Sequence, residues 1–188
     1  MQRRTFILTA LALSATSLLG CTTTSHQGAA SGTRREIDAG VDNALSRLYS
    51  NVGGSRELVG KARGVLVFPS VVAAGLMVGG EYGTGSLREG GRTTGYYSTT
   101  SGSFGLQIGA QSKTVMFLFM NQAALNKFKS SSGWTAGVDA SVAVLKVGAN
   151  GKVDTSTATQ PIIGFVMTNA GLMADLTLEG TKVSKLDL

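Results

Sequence analysis

The chain of 188 residues holds one cysteine and one histidine, Cys21 and His26, in the stretch "SLLGCTTTSHQ". A thiol becomes a nucleophile only with a base beside it, and a metal site needs three or four ligands. No histidine follows His26. His26 itself has no second ligand nearby, so it reads as a solvated residue. Carboxylates are also sparse: beyond the first helices the main ones are Glu81, Glu89, Asp139, Asp154, Asp175 and Glu179. They show no paired spacing, and the sequence has no P-loop, metal cluster or catalytic triad motif. Asp139 in "VDASVAV" lies among small apolar residues and reads as a partly buried, hydrogen-bonded carboxylate of a turn. These residue types point away from an enzyme, and no cofactor or metal is expected.

Cys21 is then best explained as an attachment point. Met1-Gln2-Arg3-Arg4 is a short basic head, and Phe6 to Leu19 is apolar or small throughout. That is the layout of an export signal, too short for a comfortable membrane-spanning helix, which needs about 20 apolar residues. Leu18-Leu19-Gly20-Cys21 looks like a lipobox, in which the Cys21 sulfur receives a diacylglycerol and cleavage precedes it. Two or three acyl chains hold a protein on a membrane far more firmly than one. Thr22 stands where an Asp would retain many bacterial lipoproteins in the inner membrane. The expected location is therefore the outer membrane of a Gram-negative bacterium, facing the periplasm. Arg3-Arg4 fits either ordinary or twin-arginine export.

The expected organisation is a signal over 1–20, a flexible tether with lipidated Cys21 over 21–32, and one domain over 33–188. Loss of Arg3 and Arg4 lowers the formal charge from +6 to +4. A modest positive balance suits anionic headgroups. Nucleic acid is a poor partner, because aromatic and basic residues are not interleaved.

Thr33-Arg34-Arg35-Glu36 has capping-box spacing, followed by Ile37, Val41, Leu45, Leu48 and Tyr49 at helical intervals. Val52-Gly53-Gly54 stops this helix, and Ser55 can cap a second one through Ala62. Such amphipathic helices either pack their stripe on a core or dock it on a membrane. From Gly64 the texture becomes β-branched and glycine-rich, predicting strands near Gly64–Phe68 and Val71–Tyr82, with glycines at bulges or close approaches. A turn is expected at Glu89 to Arg92, then further strands broken near Gln111-Ser112-Lys113. Asn121 can cap a helix over Gln122–Lys129 with Ala124, Leu125 and Phe128 facing inward. A hairpin around Asn150-Gly151 and turns near Asn169–Gly171 and Glu179-Gly180 complete the pattern. The fold class is α+β, mainly antiparallel β, barrel-like or two-layered, with N-terminal amphipathic helices and one mid-chain helix.

Five phrases in order carry a resemblance: "KARGVLVFP" (61–69), "GGEYGTG" (79–85), "SFGLQIGAQ" (103–111), "VDASVAV" (138–144) and "GLMADLTLEG" (171–180). Together they resemble the SYLF-domain family over roughly residues 36 to 186. The resemblance implies phospholipid binding that leans on a basic amphipathic N-terminal segment, making Arg34, Arg35, Arg47, Lys61 and Arg63 the candidate lipid-binding residues. It implies actin contacts only in fungi and animals, so none is expected here. The chain departs from the family where an acidic residue usually follows "GAQ": here stands Ser112-Lys113-Thr114. The alternative is a structural protein that uses the anchor for location and binds another envelope protein or a glycan. Cys21→Ser is expected to abolish acylation and release the protein from membranes. An unmodified Cys21 in the mature protein, seen by mass spectrometry, would contradict the lipobox reading.

Overall fold

Three stretches are apolar at successive positions: "VLVF" at 65–68, "VMFLF" at 115–119 and "IIGFV" at 162–166. A strand covered on one face alternates apolar and polar residues, so unbroken runs require cover on both. The computed structural model describes residues 26–75, 78–104, 111–145, 159–168, 171–172 and 177–188. It sets the three runs side by side in β1 (Gly64–Gly75), β4 (Gln111–Phe119) and β7 (Ile162–Thr168). The other elements are α1 (His26–Asn51), α2 (Ser55–Lys61), β2 (Val78–Glu89), β3 (Arg92–Phe104) and α3 (Gln122–Ser130). Short strands β5 (Trp134–Thr135), β6 (Ala143–Val144) and β8 (Gly171–Leu172), with β9 (Lys182–Leu186), complete the described set. They form one sheet in the order β5-β9-β3-β2-β1-β4-β7-β6, with β8 also on β7, curled into a half-barrel. Only β6 on β7 is parallel. The expected α+β class, mainly antiparallel β, is the one found.

The two faces of the central strands enter different cores. Val65, Leu118 and Ile163 form one cross-strand row and Val67, Met116 and Phe165 another, both on the outer face under α1 and α2. Leu66 with Phe117, and Phe68 with Val115 and Val166, face inward. There α3 supplies Leu125 and Phe128, and Trp134 stands edge-on to Phe117 at 5.4 Å and to Phe128 at 5.7 Å. Each such burial contributes about 1.5–3 kcal/mol. Gly164 lies in the inward Leu66–Phe117 row, where an added Cβ would sit 2.3 Å from Leu178 Cδ1. Leu178 fills that gap.

One segment closes both open sides of the sheet. Trp134–Thr135 pairs with β9, and Ala143–Val144, a few residues on, pairs with β7. Between them Ala136, Ala140 and Val142 pack on the inner core. This strap covers part of each outer edge, pairing two residues of β9 and two of β7 that would otherwise offer unpaired backbone to other chains. Asp139 is partly buried in it, and its carboxylate accepts from Thr135 N–H at 2.6 Å, the turn-holding role expected from sequence.

Several boundaries differ from expectation. α1 begins at His26 rather than Thr33, so the stretch read as tether is helical from there and Thr33 lies inside the helix. None of positions 31–36 is buried, and apolar periodicity reports the packed part of a helix, not its whole length. Ser55 does not cap α2. The cap position is Gly54 at φ 83°, and the buried Ser55 hydroxyl donates instead to Val52 O at 2.6 Å and Leu48 O at 3.2 Å, tying off α1. Pro69 does not end a strand, because a register shift between Val67 and Ser70 absorbs its missing N–H. Gln111–Lys113 forms the start of β4, and the residues just before it lie outside the described residues. Gly90 and Gly91, at φ 57° and 80°, make the expected turn, and Asn121 caps α3 by accepting from Ala124 N–H at 2.8 Å. Asn150-Gly151 and Asn169-Ala170 lie outside the described residues.

The bulge makes Gly85 obligatory, since a Cβ there would lie 2.0 Å from Val67 O, whereas one on Gly80 would meet nothing. Gly85→Ala is expected to cost about 1–3 kcal/mol in denaturant unfolding and Gly80→Ala far less. Equal stability of the two variants would contradict the bulge geometry.

Candidate functional site

The sequence periodicity of α1 resolves into three faces. Ile37, Val41, Ala44 and Leu48 are buried on the outer sheet face, while Leu45 and Tyr49 are half-buried beside them. This stripe is therefore occupied by the sheet, and the alternative of docking it on a membrane is corrected. Asp38 forms the second face. Its Oδ1 accepts from Thr93 at 2.8 Å and Ser86 at 3.2 Å, and its Oδ2 accepts from Tyr96 at 2.9 Å. Arg88 bridges Asp42 at 3.0 Å and Asp38 at 3.5 Å. One helix turn is thus bolted to β2 and β3. The rest of the circumference carries Arg34, Arg35 and Arg47, all exposed but spread around the helix, Arg34 toward Tyr96 and Arg47 toward Pro69.

The five candidate residues do not converge. Arg34 and Lys185 flank an open cleft of about 640 Å³ floored by Thr93 and Tyr96. Arg35 lies beside Arg34 on the solvent side. Arg47, further along α1, donates to Thr168 O at 3.2 Å and lines a cleft of about 440 Å³ with Glu36, Pro69 and Ser70. Lys61 is held by Glu57 at 2.7 Å within α2. Arg63 is exposed just before β1, with its backbone N–H on Phe119 O at 2.8 Å. Among the described residues Arg34, Arg35, Arg47 and Arg63 have no carboxylate partner. No group of three His, Cys, Asp or Glu there could hold a metal, and no helix is long and apolar enough to cross a membrane.

Two polar clusters escaped sequence reading. Asp38 sits next to Ile37 with no spacing motif, and its partners come from "RTTGYY" far along the chain. Glu81 is buried, accepting from Lys113 at 2.8 Å across β1 and from Ser101 at 2.8 Å. The one available signal was Lys113 itself, a basic residue in the stretch Ser112-Lys113-Thr114 noted as a departure from the family pattern.

Burial, the Asp38 hydrogen bond and its charge push the Tyr96 hydroxyl above its ordinary 10.0. A group raised on folding favours the native state below its unfolded value and loses that contribution as pH rises through the folded one. Asp38→Ala removes the second and third of these causes. It is expected to cost roughly 2 kcal/mol, because Thr93, Ser86 and Tyr96 lose an acceptor, and to lower the pH at which Tyr96 ionises. Unchanged stability together with an unchanged tyrosine titration would refute the bolt.

Residues 100–187 match the family model Ysc84, described as a Las17-binding protein actin regulator. A comparison with curated proteins gives no match. The matched segment holds three of the five phrases noted above, and its first residues lie in β3, in register with β2. The matched part therefore shares one sheet with the strands before it. Residues 100–187 are thus similar to the Ysc84 (SYLF) family, and the match supports an interaction domain of the lipid- or actin-related kind.

Proposed function

We propose that the chain is a lipid-anchored envelope protein whose domain binds anionic phospholipid surfaces, without catalysis, through the exposed cations of α1. The anchor is Cys21, which lies outside the described residues, and the location is the outer membrane. The observation that supports this reading is the solvent face of α1: Arg34, Arg35 and Arg47 are exposed with no carboxylate partner among the described residues. Basic side chains near an anionic surface contribute about 1 kcal/mol each and are screened by salt. Arg63 adds to the field. Lys61 adds less, because Glu57 partly neutralises it.

The family description names a protein-binding actin regulator, which supports a protein partner as the second reading. A form beginning at Thr22 retains every described helix and strand and separates the domain's own affinity from that of the anchor. It is expected to sediment with anionic vesicles more than with neutral ones at low salt. Changing Arg34, Arg35 and Arg47 together to Ser should weaken binding about a hundredfold, at about 1.4 kcal/mol per tenfold. Equal sedimentation of the two proteins would favour the protein partner.

A further inference from the structure

α1 covers only part of the outer sheet face. It meets β1 at Pro69, where Gly40 packs so closely that a Cβ would lie 2.9 Å from the Pro69 ring. Beyond that crossing no described element covers the strands. Ser112, Val72, Tyr82, Thr100 and Lys182 are register partners across β4, β1, β2, β3 and β9, and all five are exposed. At about 4.8 Å per strand the row is about 19 Å wide. The neighbouring row is Ser70, Thr84, Ser98 and Ser184.

Val72 is 41% exposed and Tyr82 54%. Val138 is the only other large apolar residue this open among the described residues, so two of the three are direct cross-strand partners. Single exposed apolar residues are ordinary, whereas an adjacent cross-strand pair on one sheet face is not. Neither row contains a carboxylate. Glu81, next to Tyr82, turns to the inner face, where Lys113 and Ser101 hold it. Lys182 ends the row on one side. Arg47 stands by Ser70 at the α1 boundary, with Glu36 across the same cleft. A tyrosine has an apolar ring and a wet tip, which suits the depth of lipid headgroups.

From this placement we infer that the uncovered half of the outer sheet face, centred on Val72 and Tyr82, docks on the interface of an anionic bilayer. This rests on the phospholipid reading above and adds a contact that salt does not screen. It also puts the apolar component of binding on the sheet instead of on the helix stripe. The charge complement is Lys182 and Arg47, on the same side of the sheet as Arg34 and Arg35.

The test uses the form beginning at Thr22 with vesicles of phosphatidylglycerol and phosphatidylcholine. In a Tyr82→Trp variant, the introduced indole should shift to the blue on vesicles and be quenched by brominated acyl chains, against the buried Trp134 as a constant background. Val72→Ser with Tyr82→Ser should lower vesicle binding about tenfold at a salt concentration that screens the arginines, with an unchanged circular dichroism spectrum. An indole indifferent to vesicles with which the protein sediments would overturn this inference and leave the arginine reading standing. Failure of the unsubstituted protein to bind any vesicle would overturn both. Dimerisation of the unsubstituted protein by light scattering, lost in the double Ser variant, would assign the patch to a second copy of the chain and overturn bilayer docking.

Discussion

The structure depends on one constraint: the strands β1, β4 and β7 are apolar on both faces, so neither face can be left wet. Leu66, Phe68 and Phe117 on one side and Val67, Met116 and Phe165 on the other belong to the same short runs. The inner face is covered by α3 and by the strap from Trp134 to Val144. The outer face takes α1 and α2, and this fixes what α1 can do. A helix with Ile37, Val41 and Leu48 fully buried beneath it has only its polar side left for partners. The arginines of the N-terminal segment stand on a helix whose apolar stripe is already occupied by the sheet.

Polar contacts set register where apolar packing alone would tolerate slippage. Moving β2 by one residue would turn Glu81 outward and leave Lys113 without its carboxylate, besides exposing Leu87. A buried ion pair of this kind is weak evidence for stability, because the desolvation of both groups offsets their attraction. Its clearer effect is to penalise wrong pairings. Asp38 acts similarly on α1: its acceptors fit hydroxyls from β2 and β3 only when the helix crosses at one position. The lysine after "GAQ" is a departure from the family pattern that gains its meaning from Glu81, two strands away in the sheet.

Sequence made legible whatever depends on neighbours along the chain. Asn121 as a cap, Gly90-Gly91 as a turn, Val52-Gly53-Gly54 as a helix stop and Asp139 as a turn carboxylate all involve partners within a few residues. Contacts over long separations were not legible. Nothing local distinguishes Asp38, whose partners lie about fifty residues on, from Asp42. Pro69 looked like a strand end because a register shift depends on the partner strand. The start of α1 before Thr33 carries no apolar stripe in the sequence, positions 32–36 are exposed, and hydrophobic pattern is silent where no core is near. For the candidate site, the exposed arginines were visible as residue types. The exposed Val72–Tyr82 pair was hidden inside a run that reads as core, since only the path of α1 decides which part of that strand is covered.

The proposed anchor changes what a modest lipid affinity accomplishes. With Cys21 acylated, the acyl chains supply residence on the membrane, and the domain, tethered within a few residues of the bilayer, experiences it at an effective concentration in the millimolar range. A contact too weak to recruit a free domain then suffices to choose which side of the domain meets the lipid. In the proposed arrangement the α1 cations would act over about a Debye length, near 8 Å at physiological salt, and so bias the outer face toward the membrane before contact. Val72 and Tyr82 would act only on touching and resist salt. A long-range steering term and a short-range fixing term on the same side of one sheet would make orientation, more than recruitment, the physical work of the domain's own surface. The strap and its exposed Val138, on the inner side, would then face away from the bilayer, toward any protein partner.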